Sequence, residues 1–403
     1  MSTTFSAELG DLPLDRELGV TASAGFRAAG VAAGIKAGGA KDLALLVNDG
    51  PADVAAGVFT TNKVVAAPVR WSQQVLTHHR LRAVVLNSGC ANACTGPAGF
   101  QDTHATAEGV AELLEIGAID VAVCSTGLIG ERLPMDAVHG GVRTAVEALS
   151  SAARSGLDAA TAVMTTDTVP KQVAYRHPAG WSIGGLAKGA GMCAPNMATM
   201  LSLITTDAVV DAKLLDFALR AAVERTFHRL DVDGSTSTND TVLLCSSGAS
   251  RISPAAGVFT SALTEVCADL VQQLQIDAEG ATKRVRIEVS GADSEGDATR
   301  VARTVAEDHL VGTALFGSDP NWGRIAMAVG RSGADVDPDL LDISINGILL
   351  CKNGAKAAER DTADLSGPEI EVRIDLKLGE ESTTVLTTDL SHAYVEENSA
   401  YSS

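Results

Sequence analysis

Short apolar runs alternate along this chain with longer amphipathic stretches. The runs at 43–47, 83–87 and 120–124 predict buried strands, because each is brief and almost wholly apolar. Residues 212–228 instead repeat apolar side chains at helical spacing, so Leu215, Leu219, Val223 and Phe227 share one face of a predicted helix. The same criteria predict strands at 200–205, 241–245 and 285–289, and helices at 101–114, 135–153 and 261–274.

Two further features complete the pattern. Residues 172–177 and 181–183 predict a hairpin around 178–180, where proline and glycine favour a turn. Apolar runs at 341–345, 370–376 and 383–387 predict a late sheet. This mixture favours layers of the α/β or α+β kind, although the pattern does not give the order of the strands.

Composition and charge narrow the class of protein. The chain has 403 residues, 46% of them hydrophobic and only 3% aromatic, so small aliphatic side chains must fill the interior. A formal net charge of -19 argues against a nucleic-acid or membrane-surface partner. The first residues lack a signal-peptide pattern, and no apolar run reaches the ~18 residues of a membrane span. We therefore expect a cytoplasmic protein.

The seven cysteines and eight histidines predict neither disulfides nor a metal site. The cysteines are odd in number and dispersed, which is typical of reduced thiols. The histidines show no paired metal-ligand spacing. We expect the protein to work without a metal or a bound cofactor.

Two motifs resemble known sites without fitting them. Gly180-Trp-Ser182-Ile-Gly184 matches the G-x-S-x-G elbow, but the glycine-rich residues that follow are poor helix formers. Residues 231–240 begin like a calcium loop, yet they lack the glycine at position six and the glutamate at position twelve. A turn held by Asx and Ser/Thr side chains is the better interpretation.

A threonine at the start of an apolar run offers a different chemistry. Cleavage of the chain between Ala198 and Thr199 would create an N-terminal threonine, whose hydroxyl is a nucleophile and whose free amine is a base. The amine titrates near ~7.7–8.0, so part of it is unprotonated at neutral pH. Taken alone, 197–204 predicts only a buried strand.

Two other segments support the nucleophile interpretation. Thr126 and Gly127 follow an apolar strand, where a hydroxyl and a backbone N–H can stabilise an oxyanion. The C-terminal residues 390–403 are rich in hydrogen-bonding side chains and could form an ordered part of a site.

Nine motifs in a fixed order carry a resemblance that covers nearly the whole chain. They are NSGCANA at 87–93, STGLIG at 125–130, MTTDT at 164–168, KGAGM at 188–192, MATML at 197–201, DGSTSTND at 233–240, DAEGATK at 277–283, GSDPNWGR at 317–324 and NSAYSS at 398–403. Together they resemble the glutamate N-acetyltransferase (ornithine acetyltransferase) family of arginine biosynthesis.

The resemblance implies a self-cleaving enzyme. A precursor would cut itself between Ala198 and Thr199 into an α chain, 1–198, and a β chain, 199–403, which assemble as an α2β2 heterotetramer. Thr199 would carry acetyl from N2-acetylornithine to glutamate in a ping-pong reaction. The implied fold is α+β, a layered α/β/β/α sandwich of mixed sheets like that of self-processing amidohydrolases.

The resemblance also assigns the site residues. Thr126 and Gly127 take the oxyanion positions, and one residue of alignment slip leaves either Thr165 or Thr166 as a substrate contact. The other substrate-binding positions fall on Lys188, Thr199, Glu279, Asn398 and Ser403. Ser403 stands where the family usually has threonine, so the hydroxyl is kept.

Two functions of other kinds stay open at this point. An N-terminal-nucleophile hydrolase or aminopeptidase of similar fold would share Thr199 but deliver the acyl group to water. A non-catalytic protein that binds a small metabolite would use the same pocket without chemistry. The sequence does not decide whether acetyl-CoA serves as a second acetyl donor.

Overall fold

The computed structural model describes residues 12–192 and 200–400. Within these ranges the strands are β1 (Leu14–Asp15), β2 (Phe26–Val31), β3 (Leu43–Asn48), β4 (Val54–Phe59), β5 (Ala83–Cys90), β6 (Val121–Leu128), β7 (Lys171–Arg176), β8 (Ser182–Lys188), β9 (Leu201–Thr206), β10 (Thr241–Ser246), β11 (Arg284–Ala292), β12 (Asp342–Ile345), β13 (Ile348–Lys352), β14 (Ala355–Lys356), β15 (Glu369–Asp375) and β16 (Glu381–Thr388).

The helices connect and cover these strands. They are α1 (Ala67–Val75), α2 (Gly96–Leu114), α3 (Met135–Ala148), α4 (Ala153–Ala162), α5 (Ala212–Arg225), α6 (Ala256–Ile276), α7 (Glu295–Ala306), α8 (His309–Phe316), α9 (Trp322–Gly330) and α10 (His392–Ala400). Short 3₁₀ turns lie at Ala37–Gly39, Leu76–His78, Ala118–Asp120, Phe227–Arg229 and Arg360–Thr362.

Three mixed sheets organise the described chain. The first sheet has the order β1-β7-β8-β9-β10-β4, with β9 and β10 parallel and the other pairs antiparallel. The second sheet has the order β2-β3-β5-β6, in which only the β5–β6 pair is parallel. The third sheet has the order β14-β13-β12-β15-β11-β16, with β11 and β15 parallel.

The first and second sheets pack face to face between two helical layers. Leu203 of β9 packs in the core between the sheets, whereas the next residue, Ile204, faces α5 and α6. In β5, Val84 likewise faces the first sheet and Val85 faces α2 and α3. Adjacent strand residues point to opposite faces, so strands covered on both sides carry apolar side chains on both faces. The predicted α+β fold with α/β/β/α layers is confirmed.

The third sheet has a core of its own, where it packs against α7 and α9. Val285, Ile287 and Val289 of β11 pack there with Val301 and Val329 of these helices. The predicted late sheet is thereby confirmed, and β11 belongs to it, between β15 and β16.

One predicted helix ends earlier than expected. Of the predicted residues 135–153, Met135–Ala148 form α3, and a separate helix, α4, begins at Ala153. Ser150 exchanges two backbone hydrogen bonds with Ala28 of β2, at 2.9 and 3.1 Å, and this bridge interrupts the helix. A tertiary contact of this kind leaves no trace in local periodicity.

The hairpin prediction is confirmed, and with it the rejection of a serine elbow. β7 and β8 pair antiparallel around a turn closed by the Gly180 N–H and the His177 carbonyl. Ser182 lies buried within β8 and donates its hydroxyl to Asp207 at 2.7 Å. The residues after Ser182 continue as β8 to Lys188, so Ser182 is a strand residue and does not lie at a strand-to-helix turn.

The first sheet joins the two halves of the chain. β8 pairs antiparallel with β9 over six residue pairs, from Ile183↔Thr206 to Lys188↔Leu201. Strands from both sides of residues 198 and 199 therefore share one hydrogen-bonded layer. In the described ranges, no helix has both the length and the apolar character required to cross a bilayer.

The contact between β2 and α4 leaves no room for a side chain at Gly30. A Cβ there would lie 1.9 Å from the Asp158 carbonyl oxygen, a backbone atom that cannot rotate away. We expect Gly30→Ala to reduce the free energy of unfolding by about 1–3 kcal/mol. Gly140→Ala in α3 is the matched control, because open space surrounds it and alanine favours the helix by up to about 1 kcal/mol. Thermal unfolding measures both, and equal midpoints for the two variants would contradict the packing argument.

Candidate active site

A cavity of about 160 Å³ opens where β6 and β8 end. β6 supplies Thr126 and Gly127, and β8 supplies Lys188 as its last residue. Segments 163–170, 231–240 and 277–283, together with α10, close the other sides. Liquid water takes about 30 Å³ per molecule, so the cavity is of a size for a small metabolite.

The structure brings together every predicted site residue that it describes. The cavity is lined by Thr126, Gly127, Thr165, Thr166, Lys188, Glu279 and Asn398. Thr165 and Thr166 both reach it, so the choice between them stays open. Ala198, Thr199 and Ser403 lie outside the described residues. The roles of these residues in binding and catalysis stay predictions.

Gly127 occupies a position that only glycine fits. Its φ of +124° is unfavourable for any residue with a Cβ, and a Cβ there would lie 2.4 Å from the carbonyl carbon of Gly89. The close approach arises where the β5–β6 pairing shifts register at Gly89 and Cys90. The bulge thus lets backbone from the end of β6 face the cavity.

Lys188 is a buried cation beside Thr126. Its side chain is 1% exposed, and Nζ donates to Oγ1 of Thr126 at 3.3 Å. The ends of β6 and β8 therefore meet here and provide an oriented hydroxyl and a positive charge side by side.

A second buried lysine, Lys171, lies behind this wall between two aspartates. Its Nζ is 2.6 Å from Oδ1 of Asp167 and 2.6 Å from Oδ2 of Asp277. The side chains of Lys171 and Asp167 are fully buried, and that of Asp277 is 6% exposed. Charges removed from water in this way are stable only when they are paired and hydrogen bonded.

The two aspartates also fix the loops of the cavity. Asp167 accepts the Thr165 N–H at 3.0 Å and the Gly189 N–H at 2.7 Å. Asp277 accepts the Thr168 N–H at 2.9 Å. Lys171 therefore connects the segments that carry Thr165 and Thr166, Gly191 and Glu279.

The ionised state of Asp167 follows from its neighbours. Burial favours the neutral acid, but the charges of Lys188 and Lys171 and the Gly189 N–H outweigh it and lower the pKa of Asp167. The carboxylate is therefore charged at neutral pH and helps to balance the two buried lysines.

Glu279 also lines the cavity, next to the C-terminal helix. Asn398 of α10 donates to Oε2 of Glu279 at 2.9 Å. A Cβ at Gly191 would lie 2.1 Å from the same oxygen, so glycine lets the carboxylate approach the backbone after β8. The predicted ordering of the C-terminal residues is confirmed for Asn398 within α10.

Sequence reasoning missed Asp233 and Tyr394 as cavity residues. Asp233 accepts the Met192 N–H at 2.7 Å and shares a hydrogen bond with the Tyr394 hydroxyl. Burial, together with the Asp233 charge, raises the pKa of Tyr394. The left-handed φ of Asp233, +71°, marks the strained backbone often found at functional sites. The dense polar run at 233–240 was the available signal, and it also supplies Ser235, Ser237, Thr238 and Asn239 to the lining.

The interpretation of 231–240 as a turn is confirmed. Asp231 accepts the Gly234 N–H at 3.0 Å, and the Ser237 hydroxyl accepts the Asn239 N–H at 3.1 Å. In the part of the chain that the structure describes, no group of three or more His, Cys, Asp or Glu side chains is arranged to hold a metal ion.

Comparison with known proteins places the chain in a family. The profile of the ArgJ family matches residues 27–403. A relative from Mycolicibacterium paratuberculosis, named arginine biosynthesis bifunctional protein ArgJ, is 62% identical over 393 residues, which cover 96% of this chain and 97% of the relative. The protein of the same name from Mycobacterium tuberculosis is 60% identical over 399 residues, covering 98% and 99%. This chain belongs to the ArgJ family.

The chain is also similar in sequence to a protein of known structure. The structure is that of ornithine acetyltransferase from Mycobacterium tuberculosis complexed with ornithine, 66% identical in sequence, with a TM-score of 0.45. The match covers 45% of this ArgJ-family chain and 97% of the solved chain.

The network around Lys171 predicts a large effect for one substitution. Lys171→Met leaves two buried carboxylates without their cation, so we expect it to cost about 3–5 kcal/mol in the free energy of unfolding. Lys356→Met is the control, because Lys356 and Glu359 are 53% and 72% exposed and such pairs contribute about 0–1 kcal/mol. The pKa of Asp167 is lower in the folded chain, so ionised Asp167 stabilises the fold at pH values above the usual pKa of 3.8. This stabilisation is lost as the pH falls below 3.8. Equal losses in the two variants by thermal unfolding would contradict this role of Lys171.

Proposed function

We propose that this ArgJ-family chain is an ornithine acetyltransferase of arginine biosynthesis, which moves acetyl from N2-acetylornithine to glutamate through an acetyl-Thr199 intermediate. One observation carries the proposal: Thr126, Gly127, Lys188 and Glu279 line the same small cavity. The cavity thus combines candidate oxyanion donors with both charges that an amino acid needs for recognition. The sequence relatives are named for arginine biosynthesis, to which the proposed reaction belongs.

The charges of the cavity suit α-amino acid substrates. Lys188 offers a cation to a carboxylate, and Glu279 offers a carboxylate to an ammonium group. N2-acetylornithine and glutamate both carry an α-carboxylate. They can therefore occupy one site in turn, as a ping-pong reaction requires.

The chemistry follows from an N-terminal threonine. Oγ1 of Thr199 attacks the acetyl carbonyl carbon, and the α-amine of the same residue accepts the hydroxyl proton. Thr126 and Gly127 stabilise the oxyanion, an effect worth about 3–4 kcal/mol for a donor when it is removed. Ornithine leaves with the proton on its amine. The amine of glutamate then attacks the acetyl ester, and the reverse proton transfer restores Thr199.

The nucleophile is created by cleavage of the Ala198–Thr199 peptide bond. The products are the α chain, 1–198, and the β chain, 199–403, which we propose to assemble as α2β2. The six residue pairs between β8 and β9 support this proposal, because they keep the two chains in one sheet after the bond is cut. We further propose a cytoplasmic enzyme that needs no bound cofactor, with acetyl-CoA as a candidate second donor.

Self-cleavage gives the most direct test. The wild-type chain should run on a denaturing gel as two bands, and N-terminal sequencing of one of them should begin at Thr199. Thr199→Ala removes the hydroxyl, so it should stay as one 41.3 kDa band and transfer no acetyl. An intact wild-type band from active protein, or acetyl transfer by Thr199→Ala, would refute the nucleophile assignment.

A second measurement separates transfer from hydrolysis. With acetyl-labelled N2-acetylornithine and glutamate, ornithine and labelled acetylglutamate should form in equal amounts. The reason is that the acetyl-Thr199 ester reacts with the amine of glutamate and not with water. Without glutamate, ornithine release should stop after about one equivalent per Thr199. Continued release of ornithine and free acetate would instead identify an N-terminal-nucleophile hydrolase.

A further inference from the structure

Asp240 holds the backbone directly after Thr199. It ends the 231–240 segment, its side chain is 0% exposed, and Oδ1 accepts the Met200 N–H at 3.0 Å. The second oxygen, Oδ2, is buried and has no hydrogen-bond partner among the residues described. A buried carboxyl oxygen without a hydrogen bond is costly, so its presence at this position calls for an explanation.

Covalent geometry connects this carboxyl with the scissile bond. Standard bond lengths keep the nitrogen of any residue within about 3.6 Å of the nitrogen of the next residue. The nitrogen of Thr199, which is the leaving atom of the proposed cleavage, is therefore adjacent to the Met200 nitrogen that Asp240 binds. Among the described residues, Asp240 is the acidic side chain that hydrogen bonds to the backbone at residue 200.

The surroundings of Asp240 favour its protonated form. Burial raises the pKa of Asp240 well above its usual range, and the Met200 N–H, the Lys188 charge and hydrogen bonds from Ser237 oppose this effect only in part. Lys188 is the charged group that acts on Asp240, and Asp167 lies close enough to Lys188 for its own pKa to be lowered by that charge. The raised pKa of Asp240 therefore favours a neutral carboxyl, which is the form that can donate a proton.

We propose that Asp240 is the proton donor of self-cleavage, delivering a proton to the nitrogen of Thr199 as the Ala198–Thr199 bond breaks. This inference rests on the proposed function, because it requires that the chain cut itself at this bond. It assigns chemistry to a residue that the acetyl-transfer steps do not use.

The step balances in atoms and charge. Oγ1 of Thr199 forms a bond to the carbonyl carbon of Ala198, and the bond from that carbon to the Thr199 nitrogen breaks. The nitrogen takes the Asp240 proton, and the proton that leaves Oγ1 returns to the Asp240 carboxylate. The product is an ester of Ala198 on Thr199 beside a free amine. Water then hydrolyses the ester, which gives the Ala198 carboxylate and restores the hydroxyl.

Asp231 provides a matched control within the same segment. It is also 0% exposed, its Oδ2 also has no partner among the described residues, and burial also raises its pKa well above the usual range. Its Oδ1, however, accepts the Gly234 N–H, which is not next to the cleavage position. A general effect of neutral buried aspartates would appear in both variants, whereas proton donation belongs to Asp240 alone.

The test follows cleavage of newly made chains. Full-length chains are labelled by a short pulse of cell-free synthesis, moved to buffers across a range of pH, and sampled for intact and cut chain. The set comprises wild type, Asp240→Asn, Asp231→Asn and the uncleavable Thr199→Ala. Asparagine keeps an oxygen to accept the Met200 N–H, so a role limited to positioning survives in Asp240→Asn.

The expected results are specific to an acid. Asp240→Asn should cleave about 10²- to 10⁴-fold more slowly than wild type, the usual contribution of general acid–base catalysis, while Asp231→Asn keeps the wild-type rate. The wild-type rate should fall as the pH rises through the pKa of Asp240, and Asp240→Asn should lose this dependence. Cleavage of Asp240→Asn at the wild-type rate would overturn the proposal.

Two further outcomes are also decisive. If Asp240→Asn does not fold, as judged by circular dichroism, the wild-type profile decides, and a rate that is flat or rises with pH overturns the proposal. If the wild-type chain stays intact at every pH, self-cleavage does not occur. The proposed function is then wrong, and the inference about Asp240 is wrong with it. Cleavage of wild type with unchanged Asp240→Asn kinetics removes the role of Asp240 alone.

Discussion

The ion network around Lys171 is the constraint on which the rest of the site depends. A lysine with a fully buried side chain must be matched by carboxylates, and Asp167 and Asp277 meet it from different parts of the chain. Once the aspartates are fixed there, their carboxylate oxygens also accept the N–H groups of Thr165, Thr168 and Gly189 and so determine where these groups lie. The hydrogen bonds and ion pairs that compensate for burying these charges therefore also order the loops around the cavity. An ordered cavity holds a reacting pair in place without a further entropic cost at the moment of reaction.

The layered sheets explain why such a network can be rigid. The first and second sheets are covered on both faces, so strand ends such as those of β6 and β8 project from a closely packed core. Thr126 and Lys188 sit at these ends, and the loops only have to complete the site. Because β8 and β9 hydrogen bond to each other, a cut in the chain between them would not separate the walls of the cavity.

The sequence predicts the layers well and the site unevenly, for physical reasons. Strands such as β3 and β5 have apolar side chains on both faces, so a short apolar run reveals them directly. The break between α3 and α4 depends on Ser150 meeting Ala28, which no local pattern contains. Most site residues come from motifs in a known order, and their spacing alone would not select them. Lys171 escapes notice because a lysine in a strand ordinarily faces water, and only the fold supplies its two carboxylates.

The segment 231–240 shows that one residue type can carry different duties within a few positions. Asp231 holds its own turn, Asp233 accepts the Met192 N–H, and Asp240 accepts the Met200 N–H. The last two bonds involve residues on either side of 193–199. A single turn therefore hydrogen bonds to the backbone before and after the proposed cleavage position. The interpretation as a turn and the interpretation as a site are therefore not alternatives. The hydrogen bonds within the segment make it rigid, and a rigid segment is what two anchors of the same backbone require.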